Sequence, residues 1–406
     1  MFKNPAMSYH PVFITTFILE NQLVFVTGPI DFIAKIIPHF SILFGLTTIS
    51  EAVVRRSKTF NSVASTPPPQ VAGPSRALTS AQRSRWRWMH ASVKIIFCLW
   101  GAGVLGCHLH AAYQAHSSVV PGCLASTRPW LSIRASCFSY VVNCHSRDIV
   151  SPSDEIFENL NIPALTTLTF AHCPALRMPS ALQRFKNLMI LHVYNSTVLE
   201  WIEQNSLTPS VHTRMIVVAA VRTKFLAGFP TGLLKPLPTS LVSIQFSITD
   251  LKSLPDTLAS FWHPMASVSF EYGELTTFPA SLLSLQTASL SLKRNRLQNV
   301  PQLADLPPDL TVTQVILGGN PLSELPSSLK NPTDFFGRLD LEGTTISSLP
   351  AWTKAQVLAV VYMNGTPYCS DTVRQFNAQC SPRSATDNRV EFPISLMDEL
   401  YAIDKG

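Results

Sequence analysis

Between Leu241 and Pro350 the chain repeats one apolar frame five times without a break. Written L-x-x-L-x-L-x-x-N-x-L-x-x-L-P, it first runs through Leu241, Ile244, Phe246, Thr249, Leu251, Leu254 and Pro255. It recurs over Met265–Pro279, Thr287–Pro301, Val312–Pro326 and Phe336–Pro350, keeping the proline each time and, Thr287 apart, every apolar position. Less regular units begin at Leu165, Leu188, Ile216 and Val357, giving nine starts at spacings of 23, 28, 25, 24, 22, 25, 24 and 21 residues. A fixed period in this range is the mark of stacked-repeat architectures, in which each unit touches only its neighbours.

The L-x-L core has period two, so it makes a short strand with its apolar side facing in. The asparagine position then turns the chain, and the Leu-Pro step starts a return on the opposite side. One unit cannot bury its own apolar face, so stacked units share a core. Asparagine holds the turning position only at Asn295 and Asn320, while Cys173, Ser196, Lys224, Thr249, Gly273, Thr344 and Gly365 hold the others. An irregular arc is expected, most distorted around the 28-residue second unit.

This frame resembles that of the leucine-rich repeat proteins. The resemblance implies an α/β leucine-rich-repeat solenoid of about nine repeats over 165–366, its strands in a parallel sheet along the concave side, with an N-terminal cap at 114–164 and a C-terminal cap and tail at 367–406. More narrowly, residues 120–406 resemble oomycete-type membrane-anchored leucine-rich repeat proteins. The words that carry this are Pro129-Trp130, CFSYVVNC from Cys137, HCPALRMP from His172, YNST from Tyr194, GTPYC from Gly365 and FPISLMDELYA from Phe392. The family brings no catalytic residue.

Side chains alternate across a strand, so the residues flanking the two strand leucines face the concave solvent side. One such column reads Thr169, His192, Ala220, Gln245, Ser269, Ser291, Ile316, Asp340 and Val361, and the next reads Ala171, Tyr194, Arg222, Ser247, Glu271, Lys293, Gly318, Glu342 and Met363. Mixed charge with aromatic rings suits a protein or peptide partner better than a phosphate backbone. The expected contact patch is His192, Tyr194, Arg222, Gln245, Glu271 and Lys293, with Asp340 and Glu342 as a second, acidic edge.

Of the 8 cysteines, Cys123, Cys137, Cys144, Cys369 and Cys380 flank the solenoid, which suits an oxidising compartment. Cys369 is expected to pair with Cys380. At the amino side Cys137 with Cys144 is favoured, leaving Cys123 free or intermolecular, although three cysteines allow three pairings; Cys173 reads as a buried turning residue. No C-x-x-C or histidine ladder points to zinc. The sequons at Asn195 and Asn364 are candidate glycosylation sites.

The amino-terminal third differs in character. Residues 1–50 are apolar enough for one membrane span, or for two turning at Gly28-Pro29, and 51–91 form a basic Pro/Ser-rich stretch expected to be a disordered cytosolic linker. Residues 92–113 contain the clearest apolar run, Ile95 to Tyr113, whose 19 residues would cover about 28 Å as a helix. Arg76, Arg83, Arg85, Arg87 and Lys94 precede the run and the next cation is Arg128, so the positive-inside rule places the repeats outside. Gly101, Gly103 and Gly106 match G-x-G-x-x-G, but no acidic residue follows until Asp148, so no dinucleotide is expected. Ala102 and Gly106 instead have the small-xxx-small spacing of helix–helix contacts.

Charge and motifs narrow the function. Of the 31 Lys/Arg and 25 Asp/Glu, residues 1–114 hold 10 and 3, and residues 115–406 the remaining 21 and 22. The repeats are neutral, so no nucleic-acid partner is expected. Nucleophile-elbow, zinc-protease, phosphate-loop and kinase motifs are all missing, so neither enzymatic activity nor a cofactor is expected. The sequence therefore reads as a recognition module anchored in the membrane, at the plasma membrane, with its repeats extracellular or lumenal and a protein or peptide ligand on the concave face. The alternative is a cytosolic-facing scaffold resembling Ras-group leucine-rich repeats, suggested by the LPxxL signature of Leu325 to Leu329, Leu254 to Leu258 and Phe278 to Leu282.

Overall fold

The structure, a computed structural model, describes residues 10, 12–17, scattered positions from 36 to 50, then 80–117, 120–127, 134, 136–301, 311–329, 334–370, 377–383 and 392–403. Residues 16–109 form one unit, and 1–15 with 110–406 form the other.

The described part of the smaller unit is chiefly one helix, Ser80–Ser117, which continues past the unit boundary. It starts inside the stretch expected to be disordered linker, while 51–79 lie outside the described residues, as does most of the expected span region at 1–50. The run from Ile95 to Tyr113 is helical throughout, and Ile95, Ile96, Leu99, Trp100, Leu105, Leu109 and Tyr113 are exposed. Among the described residues, however, no helix is long and apolar enough to cross a membrane. The same helix carries Arg83, Arg85, Arg87 and Lys94 ahead of the run and His108 and His110 near its end. Ala102, expected with Gly106 to meet another helix, is exposed, and the space beside Gly106 is open.

The larger unit is a solenoid of parallel strands. Its elements are β1 (Cys123–Ser126), β2 (Cys137–Asn143), β3 (Thr167–Ala171), β4 (Leu176–Arg177), β5 (Ile190–Tyr194), β6 (Thr197–Glu200), β7 (Val217–Phe225), β8 (Ser243–Thr249), β9 (Ser267–Glu271), β10 (Ser289–Ser291), β11 (Thr311–Ile316), β12 (Phe335–Asp340), β13 (Val357–Tyr362) and β14 (Ala378–Gln379). The concave sheet runs β1-β2-β3-β5-β7-β8-β9-β10-β11-β12-β13-β14, all parallel except the antiparallel hairpin β1/β2. The nine expected units supply β3, β5 and β7 to β13. Within the amino-terminal cap, β2 forms a further rung, its buried Tyr140 and Val142 in register with Leu168 and Phe170.

Apolar side chains from successive rungs stack into one core. Phe225, Phe246 and Phe270 follow one another at ring separations of 5.4 and 5.1 Å, and Tyr140, Phe157 and Phe185 do so near the amino end at 6.2 and 5.2 Å. In the long second unit the surplus residues cross the convex side through β6 and a loop anchored by buried His212, which bonds the Leu182 carbonyl.

The register corrects two units. Opposite His192 stands Ala219, not Ala220, and opposite Tyr194 stands Val221, not Arg222. A register shift after Phe336 likewise places Tyr362 opposite Asp340, leaving Val361 and Met363 in the core. The turning positions of these units are accordingly buried Thr223 and Thr366, not Lys224 and Gly365. Most of the small polar groups in this ladder bond to the backbone of the turns. Asn320 Nδ2 donates to the Leu292 and Leu317 carbonyls and its Oδ1 accepts from the Asn295 and Leu297 amides, while Ser196, Thr223, Thr344 and Thr366 donate their hydroxyls to backbone carbonyls within their own turns. Buried turn carbonyls and amides are thereby satisfied.

Just ahead of this ladder runs a column of left-handed residues: His172, Asn195, Arg222, Ile248, Tyr272, Arg294, Gly319, Gly343 and Gly365, with φ between 43° and 74°. Only the last three units use glycine, the residue for which this conformation costs least.

Disulfides close both ends. Cys369 is bonded to Cys380, as expected. The favoured Cys137–Cys144 pairing is not formed, because Cys137 opens β2 and Cys144 follows its last residue, about 23 Å away along an extended strand. Cys137 is instead bonded to Cys123 across the β1/β2 hairpin, so Cys123 is not free. Cys144 is bonded to Cys173, fastening the cap to the first turning position.

Candidate functional site

The concave face is partly filled by the chain itself. Residues 392–403, containing the helix Ile394–Leu400, lie against the amino-terminal rungs, where Phe392, Met397 and Tyr401 form a buried cluster with Val141, Ala171, Tyr194 and Val221. These four sheet residues come from β2, β3, β5 and β7, so the segment crosses four consecutive strands. A seven-residue helix is too short to hold in water alone and is formed against this surface.

Polar contacts fix its register. Thr169 Oγ1 donates to the Tyr401 hydroxyl at 3.2 Å, which leaves the Tyr401 proton for His192 Nδ1 at 3.1 Å. His192 is fully enclosed, and burial lowers its pKa to about 4, so the ring is neutral and able to accept that proton. Burial drives the Tyr401 phenol well above its ordinary range. His172 Nε2 donates to the Tyr401 carbonyl at 2.7 Å, and its Nδ1 accepts from the Asn195 amide at 2.8 Å. At the far side, Asn143 Nδ2 donates to the Ile403 carbonyl.

One charged contact completes the seat. Arg222 forms an ion pair of 2.8 Å with Asp398, and the Tyr194 hydroxyl donates to the same carboxylate at 2.6 Å. The Arg222 guanidinium holds the Asp398 carboxyl below its usual range, while burial and the Asp398 carboxylate hold the Tyr194 phenol up.

A second clamp lies towards the other end. Arg383 pairs with Asp340 at 2.8 Å and with Glu342 at 2.6 Å, and its guanidinium stacks over Tyr362 at 4.2 Å. Burial and the neighbouring Asp340 charge raise the Glu342 pKa.

The eight residues expected as a partner patch thus separate into three groups. His192 and Tyr194 are in the concave columns but lie under the chain's own segment, and Arg222 stands at the rim because its left-handed backbone takes it out of the column. Asp340 and Glu342 are held by Arg383. Gln245, Glu271 and Lys293 occupy the middle rungs; Glu271 is buried and accepts the Ser291 hydroxyl at 2.5 Å, whereas Gln245 and Lys293 are half-buried. Sequence reasoning missed Phe392, Met397, Asp398, Tyr401 and Arg383. The i, i+4 spacing of Met397 and Tyr401 was a visible sign of an amphipathic turn, but nothing in it named the surface.

Of the two sequons, Asn195 is exposed and Asn364 half-buried. Among the described residues, no group of three or more His, Cys, Asp or Glu is placed to hold a metal ion.

No family model matches the chain, and no curated protein matches it. Among solved structures it is similar to an internalin from Listeria monocytogenes, with 16% identity and a TM-score of 0.34 over 50% of this chain and 63% of that one. It is also similar to a leucine-rich repeat protein from Bacteroides eggerthii, with 14% identity and a TM-score of 0.24 over 50% of this chain and 48% of that one. The matched region spans less than two thirds of either chain. The solenoid reading rests on the strand register and the turning ladder themselves.

Proposed function

We propose that the chain is a membrane-anchored leucine-rich-repeat recognition module whose solenoid lies outside the cytosol, binds a protein or peptide on its concave face, and performs no catalysis. The observation that carries this reading is that the concave face already holds a polypeptide, its own residues 392–403, through apolar, aromatic and charged contacts together. A surface that accommodates one helical turn in this way has the chemistry of peptide recognition.

Three further features support the placement. The three disulfides favour an oxidising compartment over the cytosolic scaffold alternative, Asn195 is an exposed sequon residue, and the exposed apolar side chains between Ile95 and Tyr113 are those a lipid phase would cover.

Orientation is tested by protease added to the cytosolic side of sealed vesicles, which should leave the solenoid intact. Glycan at Asn195 is tested with Thr197→Val, which removes the sequon yet keeps the Asn195 amide on His172. The binding face is tested by proximity labelling from the solenoid, followed by Gln245→Lys and Lys293→Glu against Lys252→Glu on the convex side. Weakening by the convex change alone would sink the concave assignment.

A further inference from the structure

We propose that residues 392–403 are a built-in stand-in for the ligand, and that the groove over β2, β3, β5 and β7 is a specific site for a helical turn carrying an apolar residue, an adjacent carboxylate and, three residues later, a tyrosine. The inference deepens the concave-face reading and rests on it.

The pattern is set by what each side chain meets. Met397 enters the apolar floor made by Val141, Ala171 and Val221 with Phe392 beside it, all at most 5% exposed. Asp398 is gripped by both prongs of Arg222 and by the Tyr194 hydroxyl. Tyr401 passes between rings, 6.1 Å from His192 and 5.4 Å from Tyr194, and ends on hydrogen bonds from two directions. An incoming segment without the carboxylate leaves Arg222 and Tyr194 unmatched, and one with phenylalanine for tyrosine leaves Thr169 and His192 buried without their partner. The site thus discriminates by polar groups, not by apolar area alone.

Occupancy by the tethered segment regulates access. A segment on the same chain competes at an effective concentration near the millimolar range, so a free partner at lower concentration displaces it only if it binds the groove correspondingly more tightly than the segment does. The partner class that fits is a protein presenting an exposed Met-Asp-x-x-Tyr helical turn or its chemical equivalent.

The probe is a fluorescent peptide of residues 392–403, titrated against the full chain and followed by anisotropy. Wild-type chain should bind it weakly. Asp398→Arg, which repels Arg222 and releases the resident segment while leaving the groove intact, should bind it at least tenfold more tightly, and Tyr401→Ala should do the same by an uncharged route. Arg222→Glu frees the segment but spoils the site, and should not bind. Equal affinity across all four chains, or binding by Arg222→Glu as tight as by Asp398→Arg, overturns the proposal. The probe needs no natural partner, so failure here is separate from failure of the concave face to bind one in the labelling experiment.

Discussion

Arg222 and Asp398 stand 176 residues apart in the chain and meet through two parallel hydrogen bonds, Nε to Oδ1 and Nη2 to Oδ2, each 2.8 Å long. Both side chains keep more than a third of their surface in water, so the pair contributes about 1 kcal/mol or less to stability despite its geometry. Its value is positional. It fixes which turn of the segment faces the sheet.

Asp398→Asn keeps the size of the side chain and removes its charge. Amide exchange over residues 394–401 should quicken several-fold while the thermal midpoint of the solenoid moves by only a few degrees. A fall in protection throughout β8 to β13 would show that the segment is part of the core and not a docked element.

His192 makes docking sensitive to acid. Its pKa is about 4 in the folded chain and ordinarily 6.5, so between these values the released state binds more protons than the docked one. Docking is therefore fully favoured above pH 6.5 and weakens as pH falls towards 4, by on the order of 3 kcal/mol at most. A protonated Nδ1 also presents a hydrogen where the Tyr401 hydroxyl needs an acceptor. Exchange of the segment measured at pH 7, 5.5 and 4.5 should rise steadily, and His192→Gln should flatten the rise. A profile that stays flat in wild type contradicts the role given to His192.

Non-reducing peptide mapping should return Cys123 with Cys137, Cys144 with Cys173, and Cys369 with Cys380. The Cys144–Cys173 loop, with a sequence separation of 29, is the longest, and its loss through Cys173→Ser should cost about 3.5 kcal/mol in the chain-entropy picture. Cys369→Ser, which opens a separation of 11, should cost less. Recovery of a Cys137–Cys144 peptide would contradict the hairpin described above.

Ile248 is a β-branched residue at φ 56°, where the last three units have glycine. Ile248→Gly should raise stability by about 1 kcal/mol, since relief of backbone strain outweighs the half-buried side chain it gives up. Gly365→Ala, at φ 74° in the same column, should lower it by a similar amount. Urea midpoints of the two variants moving in the same direction would refute the strain argument.

The repeat was legible where leucines alternate with polar residues and slipped where they do not. Met215 to Val221 reads MIVVAAV and Val357 to Met363 reads VLAVVYM, so a frame can slide by one residue without losing an apolar match. What fixes the frame in space is the buried hydroxyl: Thr223 bonds the Val193 and Val221 carbonyls, which exposed Lys224 could not do from its own position. The rung at β2 escaped notice because Tyr140 and Val142 alternate correctly but lack the asparagine and the Leu-Pro step that announce a unit. Cysteine pairing could not be read from proximity along the chain, since a seven-residue strand separates neighbours more widely than a hairpin separates strangers. The docked segment was visible only as a word, FPISLMDELYA, because no local pattern reports which distant surface a short helix will choose.

The Arg383 clamp and the docked helix together turn the sheet into something under geometric constraint. Arg383 is fastened at β12 and β13, Phe392 is seated over β2 to β7, and five strand intervals of about 4.8 Å separate β12 from β7, or about 24 Å along the sheet. Nine residue steps from Arg383 to Phe392 reach no further than about 32 Å. The covalent reach between these two fastened points therefore sets an upper bound on their separation, and the arc cannot flatten beyond that bound while both hold. Releasing either end would remove that bound, so the contacts that close the groove also limit how wide it can open.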